Sequence, residues 1–576
     1  MSDRRDIALG LLDRAIRQQR AHVEHWNQPK SPLLFELVRA LDYLFVGDLL
    51  EVPSNDVAGV ATRNIRSFGA NAALEMMVPY GLHSESFTLF PSRPQIQRQA
   101  NDLLFSCGVL QRALKLRHEV HHGLLDPNIL NFKTLPDRAI GLVLELHPKS
   151  ASYRSEHIAY GSREWLQDLQ FEADRPMEEA LEKEHFAILP ELVRNVQKFE
   201  DWGIAYRTSR EIDDYFLEWG RLYLRRMWGQ DLIGLEDRIG PSQYNEYLGV
   251  LVGLAGRAQK HLCYSTILSR RHPELDHRNL LTTFAPYQDF LYALSKHLDA
   301  EQLQIQQICE SLTLSPFNKV NHTASGDIAW APLVRSSQTH IILPVFGLEH
   351  APFRFLLRDL KAKYAKDWFA AANNREFRWQ SELGDLFASR RWHVVSRGID
   401  LKHDGQVLTD IDFLLFDKQQ NTALLFQLKW QDPVGLDDRA KLSAARNFED
   451  GGNKWVAATI RWLESYGTAE LGARANVQLD SDTDVLLIVI GRYTGPLLST
   501  SGLDQRAAWT DWATFLQSIS SGALVTLNKL CQDLKQRQKA VVDLDFAESY
   551  AFPIGSMTVT FGMSRQSTEN SEPVSL

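Results

Sequence analysis

At 576 residues the chain is longer than one hydrophobic core organises, which excludes a single small domain and predicts two or three. With 44% hydrophobic and 23% charged residues, the composition is that of an ordinary soluble globular protein and excludes an extended disordered chain. The formal charge of −9 excludes a general electrostatic affinity for polyanions, so nucleic-acid binding has to be argued from a local site.

The N-terminus, Met1-Ser-Asp-Arg-Arg-Asp-Ile7, opens an amphipathic helical pattern instead of the apolar core and cleavage site of a signal peptide. From there to about Thr313, apolar residues recur at three- and four-residue spacing, as in Leu33 to Phe45 and Tyr215 to Leu224. This spacing predicts a mainly α-helical region over 1–313. Helices are expected to end at Pro53, Pro91 to Pro94, Pro127, Pro176, Pro241 and Pro273. No stretch reaches the roughly 18 to 20 apolar residues of a membrane span. The best candidate, Tyr247 to Ala255, is followed by Arg257 and Lys260. Cys107, Cys263, Cys309 and Cys531 lie far apart without CxxC spacing, which predicts buried thiols in a reducing, cytoplasmic setting.

Within this region His118-Glu-Val-His-His122 matches HExxH. On a helix that motif puts two histidines one turn apart to bind zinc, with the glutamate as general base of a peptidase. Gly123 and Pro127 end the helix soon after, and only Glu145 or His147 offers itself as a third ligand. A histidine-rich helix end, favourable to the helix dipole, is the preferred account.

Between residues 314 and 352 the pattern changes to short β-prone pieces, such as Asp327 to Ala331 and His340 to Pro344, which predict a junction. A second, α/β domain is expected over 353–563. Its elements are a helix from Phe353 to Arg390, strands at Trp392 to Ser396, Asp410 to Phe416 and Ala423 to Trp430, and helical segments at Arg439 to Phe448 and Lys454 to Tyr466. A strand from Asp484 to Ile490 and a helix from Ala507 to Ile519 complete it. The polar residues 564–576 are expected to be a disordered tail.

The strands ending at Phe416 and beginning at Ala423 are joined by a short polar link, which predicts a hairpin. Pairing Asp417 with Thr422 sets Asp412 opposite Gln427 and Asp410 opposite Lys429. Strand alternation then puts all four polar groups on one face of otherwise apolar, central strands. Such a patch is costly unless something pairs it. Mg²⁺ or Mn²⁺ meets that need, because a hard cation takes a few oxygen ligands and shares its coordination with a phosphate. It would polarise the phosphate and acidify a bound water, with Lys429 positioning that water or neutralising developing charge.

Asp412 followed by Gln427-Leu428-Lys429, within this element order, resembles the PD-(D/E)XK superfamily of restriction-endonuclease-like nucleases. Phe426-Gln-Leu-Lys-Trp430 is most similar to the Mrr-like branch, where glutamine commonly stands for the second acid. The resemblance implies a restriction-endonuclease-like α/β domain in which Asp412 and Gln427 hold the metal and Lys429 serves catalysis. It also implies a further acid on the first core helix, for which Glu376 is preferred over Glu382. Glu376 is expected beside an apolar stripe of Phe377, Leu383 and Phe387. Asp410 is an additional candidate. Lys441, Arg446 and Lys454 would suit phosphate positioning, although a solvated helix face is the preferred account of them.

The activity expected from this resemblance is that of a metal-dependent endonuclease hydrolysing DNA, with RNA as a second substrate candidate. Family analogy adds a role in antiphage defence, in which the helical region acts as sensor or assembles a homo-oligomer or a complex with a defence partner. Two readings stand beside it: a nuclease-like domain that has lost catalysis and only binds nucleic acid or protein, which the neutral Gln427 keeps open, and the zinc peptidase.

Overall fold

The computed structural model describes residues 2–26, 31–47, 57–78, 89–131, 142–148, 150–227, 230–323, 330–349, 352–432, 438–493, 502–523, 526–539, 550–554 and 557–561. They divide into two compact units. Met1–His147, Phe171–Trp368 and Phe546–Leu576 form the first, and Pro148–Gln170 with Phe369–Asp545 the second. The expected tail at 564–576 lies outside the described residues.

The first unit is built on helices. Ser2–Glu24, Ser31–Val46, Val57–Met77 and Pro94–His121 interlock through an apolar core that includes Leu12, Leu37, Leu41, Leu104 and Leu116. Gly69 and Gly108 set the closest contact among them. A Cβ at Gly69 would stand 2.0 Å from the Leu104 carbonyl oxygen, and one at Gly108 1.8 Å from that of Ile65, so the two helices touch backbone to backbone. A long helix, Ser150–Asn195, of which the part from Phe171 onward belongs to this unit, continues through Pro176 and Pro190, where an end was expected at Pro176. Proline removes one helical N–H bond, and packing elsewhere along a helix this long carries the chain past the loss.

The boundaries also differ from the expected ones at 313/314, 352/353 and 563. Thr313–Leu314, Leu333–Arg335 and His340–Leu343 join Thr283–Pro286 in a four-stranded sheet. Leu314, Val334 and Ile342 bury into the same core as the helices. The residues expected as a junction are therefore an integral layer of the first unit. Phe355, on the helix Pro352–Lys363, buries there too. Near the other end, Tyr550–Ile554 and Met557–Phe561 extend a sheet with Leu125–Asn131 and Leu142–Pro148. Strand pairing between distant segments leaves no trace in local periodicity, which is why these assignments needed the tertiary structure.

The second unit is α/β. Its elements are α1 (Ala365–Asp385), β1 (Trp392–Val395), β2 (Ile399–His403), β3 (Gln406–Ile411), β4 (Phe413–Asp417), β5 (Thr422–Lys429), α2 (Asp438–Ala475), β6 (Asp484–Gly491), β7 (Ala507–Asp511), α3 (Trp512–Ser518) and α4 (Leu527–Lys539). Five strands form one sheet in the order β1-β4-β5-β6-β7. The pairs β1/β4 and β4/β5 are antiparallel, whereas β5/β6 and β6/β7 are parallel. Strands β2 and β3 leave this sheet as a separate ribbon.

Both faces of the sheet are covered, so β4 and β5 read as continuous apolar runs. Leu414, Ala423, Leu425 and Val489 pack on Phe448, Trp455 and Val456 of α2. Phe413, Leu424, Phe426 and Ile488 pack on Trp379 and Leu383 of α1, with Phe515 and Leu530 behind them. Residues 507–511, expected as the start of a helix, are the strand β7. All of β7 is buried, and a short apolar run is ambiguous between the two states until a neighbour such as β6 pairs with it.

Candidate active site

The site forms where the chain bends at Asp412, between β3 and β4. Asp417 pairs with Thr422 as expected, and the ladder runs back to Phe413 opposite Phe426. One residue further, the Asp412 backbone N–H donates to the Phe426 carbonyl at 3.1 Å. Asp412 thus comes opposite Gln427. The Gln427 amide donates to Asp412 Oδ2, and the Leu428 backbone N–H donates to the same oxygen at 2.6 Å. Both side chains are inside, with Asp412 2% and Gln427 5% exposed.

Burial pushes the Asp412 carboxyl well above the usual carboxylate range. A hydrogen bond with Glu376, the Glu376 charge and the Asp410 charge push the same way, against the Leu428 N–H.

Glu376 reaches this point from α1, but the buried stripe of that helix differs from the expected one. Ala371, Arg375, Trp379 and Leu383 face inward at four-residue spacing, while Phe377 is 71% exposed. A residue two positions from Arg375 and from Trp379 points to the opposite side of a helix with 3.6 residues per turn. Glu376 is itself exposed, and the Gln380 amide also donates to it at 3.5 Å. Its neighbour Arg375 donates to Asp432, just beyond β5, at 2.7 Å.

Lys429 is half-buried at the end of β5, on the same strand face as Gln427. Its side chain runs past α2, for a Cβ at Gly451 would lie 3.8 Å from the Lys429 Cε. Asp412, Gln427 and Glu376 are thus in contact, with Lys429 on the same face.

The other expected residues stand elsewhere. Asp410 pairs with Asp400 across the β2/β3 ribbon instead of facing Lys429, because the bend at Asp412 takes β3 out of the sheet. Its side chain is exposed, and its carbonyl accepts the Trp455 indole N–H at 2.6 Å. Glu382 pairs with Arg492 at 2.6 Å. Arg446 and Lys454 are exposed on α2, and the Lys441 side chain lies outside the described residues.

Arg492 escaped the sequence reading. It directly follows the apolar run of β6, is 9% exposed, and its guanidinium carbon lies 5.8, 5.0 and 5.0 Å from the ring centres of Trp379, Trp430 and Trp512. Its backbone N–H donates to the Lys429 carbonyl at 3.1 Å. A lone cation closing an apolar strand, in a chain with 14 tryptophans, was the available signal.

Among the described residues, no group of three or more His, Cys, Asp and Glu side chains is gathered to hold a metal ion. The Asp412 set offers two carboxyls and an amide. Turning the Gln427 amide about its last bond would present its oxygen in place of its nitrogen, and the set would then suit a hard divalent cation. At the HExxH segment, the His118 and His122 rings lie 4.2 Å apart. Glu119 is paired with Lys115 at 3.6 Å, and Glu145 with His147 at 3.5 Å. Among the described residues, no helix is long and apolar enough to cross a membrane. The chain matches no protein-family model, no curated protein and no solved structure.

Proposed function

We propose that the second unit is a metal-dependent nuclease of the restriction-endonuclease-like type, hydrolysing DNA phosphodiester bonds with Mg²⁺ or Mn²⁺. The observation that carries this reading is the contact of Asp412, Gln427 and Glu376, with Lys429 on the same strand face. The mixed sheet, with α1 ahead of it and α2 between β5 and β6, agrees with the element order that the resemblance implies.

Asp412, Glu376 and the Gln427 oxygen would hold the cation, which supplies Lewis-acid activation of phosphate and water when bound. Ionised Asp412 brings negative charge to a buried point where burial favours its neutral form, so a proton on Asp412 has to leave before a cation is held well. The Lys429 ammonium neutralises charge that grows on the phosphate oxygens and orients the attacking water. Arg375, one residue from Glu376, offers a guanidinium fork for a neighbouring phosphate in exchange for Asp432. A part in defence against foreign DNA, with the first unit as sensor or assembly module, rests on the same resemblance.

The test is cleavage of plasmid, linear duplex and single-stranded DNA, and of RNA, by the purified full chain with Mg²⁺ or Mn²⁺. Asp412→Ala and Lys429→Ala are each expected to abolish cutting while the circular dichroism spectrum stays native. Metal-dependent cutting that survives in both variants would contradict the assignment. A second reading is favoured by one observation, namely that the Gln427 amide already satisfies Asp412 without a cation. DNA retarded on a gel, yet uncut under every metal condition, would select that binding module instead.

A further inference from the structure

In the first unit, the helix Pro94–His121 ends in a turn that its own backbone locks. The Leu124 N–H donates to the Glu119 carbonyl at 2.9 Å and the Gly123 N–H to the Val120 carbonyl at 3.0 Å, with Gly123 in the left-handed region at φ 69°. This double closure fixes the geometry of the last turn, and its left-handed residue favours glycine. Leu116 and Val120 of that turn are fully buried. His118 is half-buried, and His121 and His122 are exposed.

Positions 118 and 122 stand one turn apart on a single helix face, and their ring centres lie 4.2 Å apart with the planes tilted by 59°. Two imidazoles that each put a nitrogen about 2 Å from one ion have ring centres on the order of 4 to 5 Å apart. The pair is thus already at chelating separation, and little rotamer freedom is lost when an ion binds. Glu119 takes no part. It is buried and paired with Lys115 at 3.6 Å, so the base that a hydrolytic HExxH site requires is held inside.

We propose that His118 and His122 form a surface site for a transition-metal ion of the Ni²⁺, Cu²⁺ and Zn²⁺ class, with water in its remaining positions and no hydrolytic role. Imidazole suits these ions, whereas Mg²⁺ takes oxygen ligands. The site is therefore chemically separate from the one at Asp412. A bound cation also meets the negative end of the helix dipole. By bridging His118 in the last turn to His122 at the cap, the ion ties the helix end shut ahead of the strand Leu125–Asn131, and so stabilises the first unit.

The experiment titrates the full chain, free of any polyhistidine tag, with Zn²⁺, Ni²⁺ and Cu²⁺ in excess Mg²⁺, by calorimetry and thermal unfolding. A single ion is expected to bind saturably, Cu²⁺ tightest, and to raise the unfolding midpoint. Binding should fade as pH falls below about 6.5, where imidazole takes up a proton. His118→Gln and His122→Gln should each weaken it by about tenfold or more, since even an outer-shell partner of a metal ligand is worth that much. His121→Gln should leave the affinity unchanged, and all three variants should keep the native circular dichroism spectrum. Absence of saturable binding, wild-type affinity in the His118, His122 double variant, or a loss with His121→Gln equal to that with His122→Gln overturns the site.

Discussion

Asp412 is held where every acid around it favours its protonated form, against the Gln427 amide and the Leu428 N–H. Asp412→Asn keeps an oxygen for that N–H and removes the ionisable group, so it should leave stability unchanged or higher while cleavage disappears. Denaturant unfolding beside a plasmid assay checks the pair of outcomes. Gln427→Glu tests the glutamine in the opposite direction. A third carboxyl there should destabilise the metal-free protein by about 1–3 kcal/mol, since Asp412 loses its amide donor. It should also raise the stabilisation gained from Mn²⁺, which is about 2.7 kcal/mol for any ligand at a hundredfold excess over its dissociation constant. Unfolding midpoints with and without Mn²⁺ decide this.

A different carboxyl sets a pH dependence. Asp42 is fully buried, accepts the Val345 and Phe346 backbone N–H groups at 2.8 Å and the Thr282 hydroxyl, and is pushed up to about 7 by burial. A folded-state pKa above the unfolded value means that the native state binds the proton more tightly. The stability from this group is therefore complete below the unfolded carboxyl range, near 4, and is lost as pH rises towards 7. Asp42→Asn should flatten stability over that window, as denaturation at stepped pH would reveal; an unchanged slope would assign the pH dependence elsewhere.

At the scale of elements, Arg492 ties together the parts that carry the candidate site. Its side chain meets Glu382 and Trp379 on α1, Trp430 just after β5 and Trp512 on α3, while its own backbone holds the end of β5. Such a buried cation is expensive to lose. Arg492→Met, which leaves only the half-exposed Glu382 without its partner, should cost about 1–2 kcal/mol through the lost ring contacts, and Glu382→Gln about 1 kcal/mol or less. Chemical denaturation of the two variants measures the difference. The bend at Asp412 acts at the same scale. It keeps Asp412 in register with Gln427 while directing Asp410 into the β2/β3 ribbon, and local alternation, which treats 409–416 as one straight strand, cannot foresee it.

For the whole molecule, the division into units follows pairing between distant segments. Residues 148–170 belong with the second unit, where Arg163 donates to the Tyr493 carbonyl at 3.2 Å. The strands Tyr550–Ile554 and Met557–Phe561 belong with the first, with Met557–Phe561 parallel to Leu142–Pro148. Truncation after Asp545 should therefore destabilise the first unit, because it removes Ile554 and Val559, both fully buried there. Hydrogen exchange is expected to speed up in Leu142–Pro148 and to stay unchanged in β5 and β6.

Local patterning by itself determined the helical character of residues 1–313, the apolar strands β4, β5 and β6, and the register that sets Asp412 against Gln427. Each of these depends on the spacing of neighbours along the chain or on a link too short to allow another pairing. Tertiary structure alone decided that β7 is a strand, that residues 330–349 complete the first unit, that Phe377 faces outward, and that Arg492 closes the tryptophan cluster. Those outcomes depend on which distant surface a segment meets, and burial against a remote partner is a property that no window of sequence contains.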